Sequence, residues 1–279
     1  MGTNKKKEMR QMTIKMIAVD MDGTFLDDQK EYNRERFEKI FHQIKEKDIK
    51  FVVASGNQYD QLKSFFPELH KEMSFVSENG ANIIVEGNDY YNAQLPIEKV
   101  MKVLTGLEAL EPTVTVVCGK KSAYVSQEMP EEVFNNVQFY YPSNKKLDRL
   151  EEIAAEEDEI FKFALTFPNT GIEAKLAALT DILAGEMIPV SSGHGDIDLI
   201  IPGVHKAFGL AKLSDKWGIN PAEIAAFGDS GNDIEMLKYA GESFAVDNAQ
   251  EKVKQASNEI IGSNNQESVL DKIELLLKS

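Results

Sequence analysis

Asp20-Met-Asp22-Gly23-Thr24 places two carboxylates two residues apart, directly after the apolar run Thr13 to Val19. If the chain turns sharply there, as Gly23 permits, both can approach one point. An Asp-Gly pair also suits an ordinary hairpin turn, so the motif by itself leaves both uses open. A second acidic pair stands in Gly228-Asp229-Ser-Gly-Asn232-Asp233, again after a short apolar run. Hard oxygen ligands from two such places suit magnesium, which is commonly held by one or two carboxylates, waters and substrate phosphate. A helix N-cap would account for Asp233 or Asn232, but it leaves Asp229 without a purpose. Ser55-Gly56 offers a hydroxyl and an unhindered N–H where a helix can begin, a place that favours phosphate oxygens and equally a plain Ser cap. Lys206 follows Pro202-Gly203 at another expected helix start, where a cation is unfavourable with the dipole unless an anion binds nearby.

These residues need elements that bring them together. Thr13 to Val19 and KFVVA (50 to 54) read as buried strands. Between them Phe37, Ile40, Phe41 and Ile44 recur with helical spacing. DIDLII (196 to 201), a helix from about Lys206 to Trp217, IAAF (224 to 227) and a helix from about Asn232 to Tyr239 repeat the alternation. The pattern predicts an α/β, doubly wound, mostly parallel Rossmann-like sheet, in which ligands lie at the carboxyl ends of the strands. DMDGT, SGN and GDSGND all fall there. Between Val85 and Ser191 the texture changes to strand-like TVTVV, YVS and FALTF, a charged helix at 145 to 157 and a helix at 171 to 183. This predicts an inserted α+β domain at 85 to 191, with the core formed by 1 to 84 and 192 to 279.

The 279 residues are 42% hydrophobic and 28% charged, as in ordinary globular chains. Thirty-one Lys and Arg against 46 Asp and Glu give a net charge of −15, which argues against nucleic acid or an anionic membrane as the partner. A small ligand is expected, and fixed cations with a metal can still make it anionic. The lone Cys118 lies in an apolar run, reads as a buried thiol and suits a reducing cytoplasm. The basic start MGTNKKKEMR lacks a following signal-like apolar region, and Lys6 stands where a myristoylation pattern needs Ser or Thr.

DMDGTFLD, ASGN, the lysine of PGVHKAFGL and GDSGNDIEML, in this order, resemble the four motifs of the haloacid dehalogenase superfamily. NGA at 79 to 81, the insertion after the second motif and the PGV-x-K spacing resemble its Cof-type branch, whose members are mostly phosphatases of sugar phosphates and other small phosphoesters. The resemblance implies a cap domain of the C2 type and a small phosphorylated metabolite as partner. It implies Asp20 as nucleophile and Asp22 as general acid and base. Mg2+ would be held by the Asp20 side chain, the Asp22 main-chain carbonyl and Asp229, with Asp233 acting directly or through water. Ser55, Gly56, Lys206 and Asn232 would hold phosphate, and Asn79 would lie near the substrate. The chemistry agrees: a carboxylate attacking a phosphate dianion is repelled unless cations neutralise the approach. Asn57 departs from the usual Arg, which suggests altered contacts to the leaving group. His194 and His205 lie near the site in sequence, where a structural use is the ordinary one. A phosphomutase shares the covalent intermediate, and a phosphorylation-switched receiver shares the residue types. The resident acid of Asp20-x-Asp22 favours turnover over persistence.

Overall fold

The computed structural model describes residues 13–168, 170–193 and 195–278. Expectations placed on the N-terminal segment and on His194 lie outside them. The chain opens with β1 (Met16–Val19), α1 (Arg34–Glu46), β2 (Lys50–Ala54), α2 (Tyr59–Ser64), β3 (Ser74–Ser77), β4 (Asn82–Val85) and β5 (Asn88–Asn92). Then come α3 (Ile97–Leu107), β6 (Val114–Gly119), β7 (Ala123–Ser126), α4 (Glu131–Tyr140), β8 (Asn144–Leu147), β9 (Ile160–Thr166), α5 (Ile172–Leu183), β10 (Ile188–Gly193) and β11 (Asp196–Ile200). It closes with α6 (Lys206–Trp217), β12 (Ile224–Gly228), α7 (Ile234–Tyr239), β13 (Glu242–Ala245), α8 (Glu251–Lys254), β14 (Glu259–Ile260) and α9 (Ser268–Leu277).

Two sheets result. The large one has the order β14-β13-β12-β1-β2-β3-β4-β5, parallel from β14 to β3 and antiparallel at the β4 and β5 edge. Every residue of β1 and β12 is buried, which is why both read as unbroken apolar runs. The small sheet has the order β10-β11-β9-β6-β7-β8 and is mostly antiparallel. Leu165, Phe163, Ile197 and Leu199 pack one side of it against α3 and α5, while Val116, Cys118 and Val125 pack the other against α4.

The alternation predicted the large sheet, but the sheets divide the chain differently from residues 85 and 191. β5 continues the large sheet beyond residue 85. DIDLII, expected in the core, forms β11, which lies between β10 and β9 of the small sheet. The helix expected at 145 to 157 is absent. Residues 144 to 147 are drawn into β8 by parallel pairing with β7. Leu150–Ala155 makes only a short tight helix, in which Ile153 alone is buried, too little apolar face to hold a longer one.

Candidate active site

β1 and β12 lie side by side, Val19 opposite Phe227, so the loops that follow them emerge together. After Val19 the chain makes a wide turn in which Phe25 N–H donates to Asp20 O (3.2 Å) and Leu26 N–H to Met21 O (2.9 Å). Gly23 adopts φ 75°, and a Cβ there would stand 2.9 Å from Asp229 Oδ2, so this glycine is required by both conformation and space. Phe25 anchors the turn, its ring 5.2 Å from that of Phe37 on α1, a contact worth about 0.5–1.5 kcal/mol beyond its area.

Asp20, Asp229 and Asp233 each present an oxygen to one point, all within 4.8 Å of one another. Lys206 Nζ donates to Asp20 Oδ1 and to Asp233 Oδ1, both at 2.6 Å, and is fully buried. The other Asp233 oxygen accepts the Asp229 and Ser230 N–H groups at 2.9 and 3.0 Å. Thr24 and Ser230 hydroxyls donate to Asp229, both at 2.9 Å. Burial pushes Asp20 well above the usual carboxylate range; Lys206 opposes this, and Asp233 and Asp229 add to it. Asp229 is raised to about 6, by burial first and then by Asp233. Lys206 is raised, because Asp20 and Asp233 outweigh the burial that lowers it.

One ammonium thus faces three buried or half-buried carboxylates. The residues present fit a hard cation: the donors are carboxylate oxygens, and their charge is only partly balanced by Lys206. The Asp22 side chain points elsewhere. Its oxygens accept from Lys30 Nζ and Asn57 Nδ2, each at 2.6 Å. Asn57, which stands where relatives usually carry Arg, thus contacts Asp22.

The phosphate-site expectations form a second group. Asn232 Nδ2 donates to Asn79 Oδ1 (3.0 Å), and Asn79 Nδ2 to Asp198 Oδ2 (2.6 Å). Asn79 N–H donates to Ser55 O (3.0 Å), and Gly56 lies against Asn79 and Asp198 so closely that a Cβ would stand 2.8 Å from Asp198 Oδ2. Ser55 is not a helix cap, since α2 begins beyond it with Gln58 at its cap. His205 serves structure: its Nδ1 accepts the Phe208 N–H at the start of α6. The sequence pointed to the two acidic pairs, Ser55-Gly56, Asn79 and Lys206. It gave no sign of Lys30, Asp198 or Lys162, whose ammonium donates to Asp198 Oδ1 at 2.7 Å. Thr24 could have been found, since it completes DMDGT.

Residues 17–273 match the family model of the haloacid dehalogenase-like hydrolases. The chain is 46% identical over 267 residues to the Escherichia coli (strain K12) protein 5-amino-6-(5-phospho-D-ribitylamino)uracil phosphatase YbjI, covering 96% of this chain and 97% of that one. It is 26% identical over 273 residues to the Bacillus subtilis (strain 168) phosphatase of the same name, YitU, with 91% and 94% covered. The crystal structure of SMU.1108c from Streptococcus mutans UA159 superposes with a TM-score of 0.90 at 35% identity, covering 96% of this chain and 100% of that one. This chain belongs to the haloacid dehalogenase-like hydrolase family, in its Cof-type branch. It is an enzyme of the phosphoric monoester hydrolase class, as the motif order predicted.

Proposed function

We propose that the enzyme hydrolyses a small phosphorylated metabolite through a phosphoryl group carried on Asp20, with Mg2+ as its metal. The observation that carries this reading is Lys206 bridging Asp20 and Asp233 beside Asp229, at the junction of β1 and β12. An Asp20 oxygen attacks phosphorus, and the bond to the leaving oxygen breaks as Asp22 gives that oxygen a proton. Water then attacks the same phosphorus, yields its proton to Asp22, and orthophosphate departs, restoring the Asp20 carboxylate. Lys206 offsets the charge of the approaching dianion. Asp20, Asp229, the Asp22 main-chain carbonyl and Asp233, directly or through water, would hold the Mg2+, which supplies Lewis-acid neutralisation of phosphoryl oxygens when bound. Ser55, Gly56, Asn79 and Asn232 would receive the phosphate.

In this reading the large sheet and its helices are the catalytic part, and the small sheet is a cap that selects the leaving group. We place the enzyme in the cytoplasm, on its acidity and its buried Cys118; among the described residues no helix is long and apolar enough to cross a membrane. Three relatives are named for a phosphorylated ribitylaminouracil, which makes that ester the first physiological substrate to assay. The decisive measurement is hydrolysis of p-nitrophenyl phosphate with and without Mg2+. Asp20→Asn is expected to lower kcat by about 10³-fold or more; full activity in that variant overturns the assignment.

A further inference from the structure

Lys30 stands in the loop that follows the first acidic pair, and the chemistry proposed above makes no use of it. Its ammonium donates to Asp22 Oδ1 at 2.6 Å while Asn57 Nδ2 donates to Oδ2 at the same distance, so both oxygens of one carboxylate are gripped from two different loops. The pair is roughly one-third exposed, 31% for Lys30 and 28% for Asp22, so solvent alone would leave Asp22 several rotamers. A third group comes from the other sheet's side of the molecule. Tyr140, the last residue of α4, sets its ring against the same ammonium, with Nζ 5.8 Å from the ring centroid. Three residues on, Ser143 exchanges bonds with Gln58 through Ser143 N–H to Gln58 Oε1 (3.2 Å) and Gln58 Nε2 to Ser143 O (3.1 Å). Its hydroxyl also donates to Asp60 at 2.5 Å. The end of α4 is therefore pinned to the start of α2 beside the site.

We infer that Lys30 is a positioning residue for Asp22, and that Tyr140 makes this positioning depend on the small sheet being seated against the large one. The inference rests on the reading of Asp22 as general acid and base. Only a seated α4 brings the Tyr140 ring to Lys30. When α4 lifts, Lys30 turns to water, Asp22 is held by Asn57 alone, and its proton no longer stands at a fixed place relative to the leaving oxygen.

Two esters separate this role from simple stabilisation. p-Nitrophenolate departs without a proton, whereas the alkoxide of ribitol phosphate needs one as its bond to phosphorus breaks. Lys30→Met is expected to lower kcat/KM for ribitol phosphate about 10²-fold, the lower end of what a general acid contributes, and for p-nitrophenyl phosphate less than about threefold. With p-nitrophenyl phosphate, kcat should fall and a burst of p-nitrophenol should appear, because the second displacement still needs Asp22 as base. Lys30→Arg should recover most of the loss. Tyr140→Leu, which removes the ring, should lower kcat/KM for ribitol phosphate about fivefold, in the same substrate-selective way. Equal losses on both esters, or none on ribitol phosphate, overturn the inference. A wild-type enzyme that cleaves neither ester with Mg2+ overturns the phosphatase reading instead, and this inference with it.

Discussion

Glu78 is 1% exposed, and among the described residues neither of its carboxylate oxygens has a hydrogen-bond partner; Lys162 Nζ comes no nearer than 3.7 Å. Its backbone is left-handed, φ 51°, as are those of Asn79 and Gly80 after it. This run of three turns Asn79 towards Asn232 and Asp198 and sets Glu78 beside a cavity of about 120 Å³ lined by residues of both sheets, among them Asn82, Ile84, Gly119 and Phe161. Burial raises the Glu78 carboxyl to about 7, and Lys162 opposes that rise. Because the folded-state value is raised, the neutral form favours folding. That contribution is complete below the ordinary carboxylate range and is lost as pH climbs through about 7. Glu78→Gln keeps the shape without the ionisation. Its stability to unfolding should match the wild type near pH 4 and exceed it by a growing margin up to about pH 7, reaching no more than about 3 kcal/mol. A gap that does not change with pH would show that Glu78 does not titrate there. The acidic pairs were legible in the sequence because each joined a strand-ending apolar run to a glycine-bearing turn. Lys30, Lys162 and Asp198 were not, because a lone charge in a sequence is ordinarily solvated and only their distant partners give these three a use.

At the scale of elements, α6 does two things at once. Its first residue is Lys206, and Gly209, one turn later, lies flat against Val76 of β3, where a methyl group would overlap the valine side chain. Gly209→Ala should therefore push α6 off the sheet. A destabilisation of about 1–3 kcal/mol by urea unfolding is expected, with a lower kcat because Lys206 moves with its helix. Unchanged unfolding would mean that Val76 gives way and that the approach is not tight. The central strands β1, β2 and β12 of the large sheet could be read from the sequence because two-sided burial leaves unbroken apolar runs. β11 could not be assigned to its sheet, since DIDLII looks the same whichever partners it pairs with; those partners, β9 and β10, are settled by the tertiary fold. β8 was hidden for the same reason. Its residues Asn144–Leu147 are mostly polar and become a strand only because β7 is there to pair with them.

Over the whole molecule, an acidic chain gathers three carboxylates around one ammonium where β1 and β12 end. A cation that binds the folded site and not the unfolded chain must stabilise the fold. Free Mg2+ at 100 times its Kd should add about 2.7 kcal/mol, while sodium at matched ionic strength should add far less. Equal effects of the two salts would mean screening alone. The placement of β1 between β2 and β12 has a further consequence, for synthesis. Thr24 and Asp229, joined by a hydrogen bond, are 205 residues apart in the chain. A ribosome must therefore make the entire small sheet, whose strands are contiguous from Val114 to Ile200, before β1 can gain its second neighbour. The small sheet can reach its final pairing while translation continues, whereas the first half of the large one waits with an unpaired edge. Factors that shield nascent chains should engage this protein before residue 224 has emerged, and release it soon afterwards.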